Sequence, residues 1–192
     1  MNKLSKRINN LSESATLAMS RLSRELKQQG KDVISLSLGE PDFNTPDFIK
    51  NSAVQAINDN FSHYTPVPGI LELRKSICKK FYRDNNLEFN ENQIVVSTGA
   101  KQSIANVCLS LLDKGDEVIL LAPYWVSYFE IVKLCGAKPI VVESKIENNF
   151  KSSVEEIEKK ISNNTKLLIF SSPCNPSGSV YSKKELVLMA DM

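Results

Sequence analysis

The stretch EVILLA, residues 117–122, indicates the fold class because it is apolar from its second residue to its last. A strand with one face in water alternates apolar and polar residues, whereas a continuous apolar run is typical of a parallel strand covered on both faces. Two similar runs, KPIVVE at 138–143 and KLLIFS at 166–171, each follow a predicted helix. This alternation predicts an α/β fold, with a mostly parallel sheet in a three-layer α/β/α arrangement.

Shorter patterns predict the remaining elements of the chain. VISLSL at 33–38 and NQIVVS at 92–97 are predicted strands. Helical spacing of apolar residues predicts helices over 14–29, 47–58, 70–84, 99–112, 124–135 and 153–161, and a last helix capped by Ser182. Folds of this kind bind ligands in the loops at the carboxyl ends of their strands, so we expect a site there.

Composition and charge exclude several classes of function. The chain has 192 residues, of which 42% are hydrophobic and 24% charged, and a net charge of +2. That is typical of a globular protein with one sizeable core, and it gives no reason to expect a nucleic-acid or membrane partner. No apolar run approaches the ~20 residues of a membrane span. The start, MNKLSKRINN, lacks the apolar stretch of a secretory signal, so we expect a cytoplasmic protein.

The cysteine pattern does not favour a metal site. The four cysteines, at 78, 108, 135 and 174, form no CxxC pair, and His63 is the only histidine. A zinc site or a Cys–His nucleophile pair would need closer spacing of these residue types. We therefore expect no metal, and mostly buried, reduced thiols.

The segment STGAKQS, residues 97–103, has the features of an anion site. A predicted strand ends at Ser97, Gly99 permits close backbone approach, and a predicted helix starts near Ala100. The first backbone N–H groups of such a helix have no acceptor within the helix and suit a phosphate. A tight turn with no ligand is the alternative. The dinucleotide and P-loop fingerprints are absent from the sequence, which disfavours a nucleotide-binding domain.

Two further stretches lie at predicted carboxyl ends of strands. APYWVSY, after EVILLA, puts Trp125 where an indole can stack on a flat ring, unless it is only a core residue. SSPCNPSG, residues 171–178, holds Asn175 among prolines that lower the cost of fixing it. An ordered amide there is a suitable partner for a ligand hydroxyl or phenolate oxygen, and a simple turn is the alternative.

The order of five motifs along one α/β chain is far more specific than any of them alone. GEPDF, HYTPVPG followed by LR, STGAKQ, PYW and NPSG together resemble the class I aminotransferases, which depend on pyridoxal phosphate. The resemblance runs from about residue 14 to 182, and is strongest to the bacterial aspartate aminotransferases. It implies that residues 46–192 are the N-terminal part of the large cofactor-binding domain, and that 1–45 form an arm and helix contributing to the small domain.

The resemblance also implies which residues bind the cofactor. The backbone amides of Ala100 and Lys101 would hold its phosphate, Trp125 would stack on its pyridine ring, and Asn175 would hydrogen-bond its O3′ oxygen. Tyr64, in HYTPVPG, would reach across the interface of a homodimer to the partner's cofactor phosphate. Read without the resemblance, HYTPVPG is a proline-stiffened surface loop.

Substrate contacts follow from the same resemblance. The amide of Gly39, in GEPDF, would meet the α-carboxylate, although the segment alone reads as a simple turn. Thr16 and Lys101 would lie near the distal carboxylate of an acidic substrate, with Trp125 and Asn175 also at the substrate. The implied reaction transfers an amino group from an amino acid such as aspartate to a 2-oxo acid such as 2-oxoglutarate.

Three parts of the family's active site have no counterpart among the motifs of this sequence. They are the Schiff-base lysine, the acid beside the pyridine nitrogen and the arginine for the α-carboxylate, all of which lie beyond NPSG in the family. We therefore assign no catalytic residue. We expect the 192-residue chain alone to be inactive, and prone to aggregate through an unprotected sheet edge. The alternatives are an aromatic, kynurenine-type or other 2-oxo-acid aminotransferase, or a non-catalytic truncated chain that binds pyridoxal phosphate.

Overall fold

A computed structural model of the protein describes residues 3–192. The elements in chain order are α1 (Lys6–Asn9), α2 (Ala15–Gln28), α3 (Asp47–Asn58), α4 (Leu71–Asn85), α5 (Ala100–Leu111), β1 (Glu117–Leu121), α6 (Ser127–Leu134), β2 (Lys138–Val142), α7 (Val154–Glu158), β3 (Thr165–Ile169) and α8 (Lys183–Ala190). Two compact units divide the chain: one combines residues up to 37 with 100–192, and the other is 38–99.

The sheet of the first unit has three parallel strands in the order β2–β1–β3. Glu117 pairs with Lys138 at one end of the β1–β2 ladder, and Leu121 pairs with Val142 at the other. Parallel neighbours need a crossover, and α6 and α7 lie in the two connections. The carboxyl ends of all three strands therefore lie at one edge of the sheet.

Alternate residues of β1 belong to two separate apolar clusters, one on each face of the sheet. Val118 and Leu120 pack in the cluster that contains residues of α5 and α6. Ile119 and Leu121 pack in the cluster that contains residues of α7 and α8. All four side chains are almost completely buried. The three-layer α/β/α prediction is confirmed, and the unbroken apolar run of β1 is its cause.

Two capped helices close the second of these faces. Ser153 caps α7 and Ser182 caps α8, each in a capping box with a glutamate three residues on. Lys151 Nζ lies 2.6 Å from Glu185 Oε1, at the start of α8. The backbone N–H of Ser152 donates to the buried hydroxyl of Tyr181 at 3.0 Å. These contacts join the loop before α7 to the loop before α8.

The Lys151–Glu185 pair makes stability depend on acid pH. The Lys151 ammonium and the Ser182 N–H lower the pKa of Glu185 from 4.5 to about 2. Stability from this shift is present above pH 4.5 and is lost as the pH falls towards 2. Because Glu185 is partly exposed, we expect a loss of only about 1 kcal/mol. The measurement is the free energy of unfolding in urea at pH 5 and at pH 3. The difference between the two pH values should be smaller in Lys151→Met than in the wild type, and unchanged in the control Lys184→Met. An equal difference in both variants would contradict this.

Two predicted strands are wrong. Residues 33–36 are irregular, 37–38 form a bend and none pairs with a described strand; Ile34 and Leu36 are 83% and 91% exposed. The 92–97 stretch begins in a 3-10 turn, Glu91–Gln93, and continues as irregular backbone. An apolar sequence supplies side chains for a strand, but a strand also needs a hydrogen-bonded neighbour. Among the described residues, no strand pairs with 33–38, and 92–97 make a single backbone bond to a neighbouring segment, from the N–H of Val96 to the carbonyl of Pro68 at 3.0 Å.

Other boundaries shift by a few residues. The helix predicted over 124–135 begins only at Ser127, because the chain bends after Pro123. The charged helix predicted over 153–161 is the short α7, which Ser153 caps.

The second unit is built on α3 and α4. Arg74 donates to the carbonyls of Gly69 (3.1 Å) and Glu91 (2.8 Å), which fixes the two loops beside α4. Gly69 has φ +99°, and a Cβ there would lie 2.7 Å from Val96 Cγ2, so only glycine fits. Across residues 3–192, no helix has the length and apolar character needed to cross a membrane.

Candidate functional site

The segments that follow β1 and β3 meet at the carboxyl edge of the sheet. The Cys174 thiol donates to the carbonyl of Pro123, with 3.1 Å between Sγ and O. APYWVSY and SSPCNPSG, which lie about 50 residues apart in sequence, are therefore in direct contact. Cis peptide bonds precede Pro123, Pro173 and Pro176.

Trp125 lies in the first of these segments, and its ring is held on two sides. The half-buried indole meets Tyr128 edge to face, with 5.6 Å between centroids and 88° between planes. The Lys101 ammonium lies 4.9 Å from the centroid of the Trp125 ring, within the range of a cation–π contact. Two of the residues predicted to bind cofactor and substrate are thus brought together, although 24 positions separate them in sequence.

Lys101 extends from the exposed N-terminus of α5, a helix of 12 residues. Gly99 precedes that helix with φ +91°, a conformation that disfavours other residues. Ala100 and Lys101 are exposed, and the first turn of α5 contains no acidic residue. The helix dipole and the first-turn amides therefore present positive potential beside the Trp125 ring, as an anion site requires.

Asn175 occupies a tightly bonded turn. The N–H of Cys174 donates to the carbonyl of Ser179 at 2.8 Å, and the N–H of Gly178 donates back to the carbonyl of Cys174 at 2.7 Å. The backbone N–H of Asn175 donates to Ser171 Oγ at 3.2 Å. This turn fixes the Asn175 backbone and leaves the residue exposed to solvent.

The other predicted site residues lie elsewhere. Thr16, on α2, lines a cavity of about 560 Å³ that α2 forms with residues 33–37. Gly39 and Tyr64 belong to the second unit. Tyr64 is fully exposed and lines a small cavity of about 220 Å³ with Ser62 and His63.

A cavity of about 410 Å³ lies next to Lys101. Its lining is mostly apolar, with two carboxylates and the Lys101 ammonium: Leu11, Ser12, Glu13, Ser14, Ala15, Lys101, Tyr124, Val126, Ser127, Phe129, Glu130, Ile131 and Leu134. Burial, with Glu143 and Glu130 nearby, raises the pKa of the Tyr124 phenol. Its hydroxyl thus stays protonated and can donate a hydrogen bond.

Sequence reasoning missed the residues of α6 and of the N-terminal segment that line this cavity. Glu130 and Lys133 are spaced i,i+3 on α6, which is a visible signal for a helical ion pair. Their bonds to the N-terminal segment span more than 115 positions, and no local pattern predicts them. The described residues include no group of three or more His, Cys, Asp or Glu side chains placed to hold a metal ion.

Comparison with known proteins identifies the family. Residues 31–192 match the family model for Aminotransferase class I and II. The aspartate aminotransferase of Bacillus subtilis is 46% identical over 190 residues, or 99% of this chain and 48% of that protein. A probable aspartate/prephenate aminotransferase of Rhizobium leguminosarum bv. phaseoli is 50% identical over 93% of this chain and 45% of its own length.

Solved structures agree with the sequence comparison. The aspartate aminotransferase of Thermus thermophilus with maleate superposes with a TM-score of 0.95 at 40% identity, covering 100% of this chain and 50% of that one. The chain thus spans about half the length of the relatives it matches. On the extent of these matches, the chain belongs to the class I and II aminotransferase family.

Proposed function

We propose that this chain supplies the cofactor-phosphate and ring-stacking part of a pyridoxal-phosphate-dependent aminotransferase active site. The observation that carries the proposal is the contact between the Lys101 ammonium and the Trp125 ring at the N-terminus of α5. It combines an anion site with an aromatic face, and a phosphorylated aromatic cofactor needs both. The proposed reaction is transfer of the amino group of L-aspartate to 2-oxoglutarate.

The residues present fit such a cofactor. The first turn of α5 offers amides without a nearby acid, the indole is half-buried, and Asn175 stands on a fixed turn. The amides of Ala100 and Lys101 would hold the phosphate, Trp125 would stack on the ring, and Asn175 would hydrogen-bond O3′. When bound, pyridoxal phosphate supplies the electron sink for loss of the substrate's α-proton.

The proposed substrate contacts are taken residue by residue from the family's motifs. The Lys101 ammonium would attract the distal carboxylate of an acidic substrate, with Thr16 nearby. The amide of Gly39 would donate to the α-carboxylate. In a homodimer, Tyr64 would reach the phosphate of the other subunit's cofactor, which accounts for a tyrosine that is fully exposed in one chain.

The same proposal covers domain organisation and location. Residues 1–45 would contribute to a small domain, and 46–192 to the cofactor-binding domain. The protein would act in the cytoplasm. The family's Schiff-base lysine, its ring acid and its carboxylate-binding arginine are assigned to no residue of this chain, so catalysis would need them from elsewhere.

A second candidate substrate class is a ring-bearing 2-oxo acid. Two observations favour it: several relatives are named aspartate/prephenate aminotransferase, and the cavity beside Lys101 has apolar walls that include Val126 and Phe129. Apolar walls with one ammonium suit a substrate that has both a ring and a second carboxylate. Rates with 2-oxoglutarate and with prephenate as the amino acceptor, measured side by side with aspartate as donor on a complete active enzyme that contains this chain, separate the two classes.

A cofactor titration tests the proposal directly. Trp125 is the only tryptophan, so intrinsic fluorescence reports on this ring alone. We expect saturable quenching by pyridoxal phosphate, weakened by inorganic phosphate, and much weaker binding of pyridoxal, which lacks the phosphate. Pyridoxal phosphate that reacts with surface lysines could also quench fluorescence, but inorganic phosphate would not weaken that reaction.

The same sample should show no transamination of aspartate with 2-oxoglutarate above a no-protein control. If inorganic phosphate does not change the quenching by pyridoxal phosphate, the proposed phosphate site is wrong. Turnover by the purified chain would show that catalytic groups have been missed within it.

A further inference from the structure

The N-terminal strap, residues 10–15, is held to α6 by two hydrogen bonds. The backbone N–H of Ser12 donates to Glu130 Oε2 at 3.1 Å. Lys133 Nζ donates to the carbonyl of Asn10 at 2.7 Å. Both bonds link an ionised side chain to the backbone, so they depend little on the side chains of the strap itself.

Glu130 and Lys133 also hold each other. They lie 3.5 Å apart, and their side chains are only 26% and 27% exposed. The Lys133 ammonium is 5.5 Å from the centroid of the Phe129 ring, which further restricts it. Because each of these two charges neutralises the other, the pair stays in place whether or not the strap is docked. Glu130 and Lys133 therefore offer the strap two fixed points of attachment.

Besides these bonds, α1 lies against α6 and Leu11 of the strap is half-buried. Neither α1 nor α2 contains a buried residue. Docked on α6, however, residues 11–15 line the cavity of about 410 Å³ that Lys101 also lines. The anchor on α6 therefore determines whether this cavity has a wall on that side.

We propose that Glu130 and Lys133 are positioning residues that hold the N-terminal strap as one wall of the cavity beside Lys101. Both act through the strap backbone, and Glu130 also lines the cavity itself. When the two hydrogen bonds form, the strap is held against α6 and the cavity has this wall. When they break, the strap detaches and the shape of the cavity changes, while the apolar core beneath α6 stays intact.

A pair of substitutions at position 12 tests the anchor without touching α6. Ser12→Pro removes the donor N–H, and Ser12→Ala keeps it. We expect hydrogen exchange of the Asn10 and Leu11 amides, which donate to the carbonyls of Lys6 and Ile8, to be about tenfold faster in Ser12→Pro, as for loss of a hydrogen bond to a charged group, and unchanged in Ser12→Ala. Ser12 is exposed and outside any helix, so the core should fold in both variants.

A second set of variants starts from α6. Glu130→Leu should raise the amide exchange rate of the strap as much as Ser12→Pro does. Glu130→Gln should raise it less, because the glutamine keeps an acceptor oxygen. The double variant Ser12→Pro/Glu130→Leu should exchange little faster than either single variant, because both remove the same bond. Lys138→Met is the control, because it breaks a more exposed ion pair, with Glu117, at the start of the β1–β2 ladder and away from the strap. The proposal would be overturned if strap amides exchanged equally fast in Ser12→Pro and Ser12→Ala. It would also be overturned if the effects of Ser12→Pro and Glu130→Leu were fully additive in the double variant, or if the amides of β1 exchanged faster by the same factor as those of the strap.

Discussion

Replacing Leu120 by alanine is expected to lower the free energy of unfolding by about 2–5 kcal/mol. Leu120 is completely buried in the central strand, in the cluster shared with α5 and α6. Its truncation removes buried apolar surface and leaves a cavity that parallel backbone on both sides cannot close. The measurement is urea unfolding followed by far-UV circular dichroism.

Two companion variants make this result specific to the layered fold. Ile119→Ala should cost a similar amount, because its side chain is buried in the cluster on the opposite face. Leu109→Ala, at a position 57% exposed on α5, should change stability by less than about 0.5 kcal/mol. A small effect of Ile119→Ala beside a large one of Leu120→Ala would contradict helices on both faces.

The layered core was predictable because its evidence is local. β1 is buried on both faces, so its sequence carries an unbroken apolar run, and the turns and helices around it have ordinary signals. The segments predicted as strands at 33–38 and 92–97 show the limit of such evidence. Their sequences resemble that of β1, but strand formation depends on a neighbour that a single stretch does not encode.

The candidate site divides in the same way. The N-terminus of α5 after Gly99 was predictable from its sequence, since a glycine between a predicted strand and a helix is a local pattern. The proximity of Lys101 to Trp125 depends on how α5 packs beside β1, and only the order of the family's motifs suggested it. The hydrogen bond from Ser12 to Glu130 spans 118 positions, and no motif marks either residue.

Replacing Trp125 by alanine is expected to weaken the binding of pyridoxal phosphate by about 10- to 100-fold. This range corresponds to about 1.4–2.7 kcal/mol, within the ~1–3 kcal/mol typical of an aromatic face that stacks on a flat ring. The indole is half-buried, and its contacts with Tyr128 and Lys101 restrict its orientation before any ligand arrives. The entropy cost of ordering the indole for stacking is therefore small, which makes the stacking surface effective.

Equilibrium dialysis with pyridoxal phosphate measures the effect, because the variant has lost its only fluorescent indole. Trp125→Phe is the control: it keeps an aromatic face and should bind within a few-fold of the wild-type chain. Far-UV circular dichroism should confirm that both variants are folded, since Trp125 also packs against the core cluster. Equal affinity in the wild type and Trp125→Ala would remove the indole from the cofactor site, and a large loss in Trp125→Phe would show that shape, rather than stacking, determines binding.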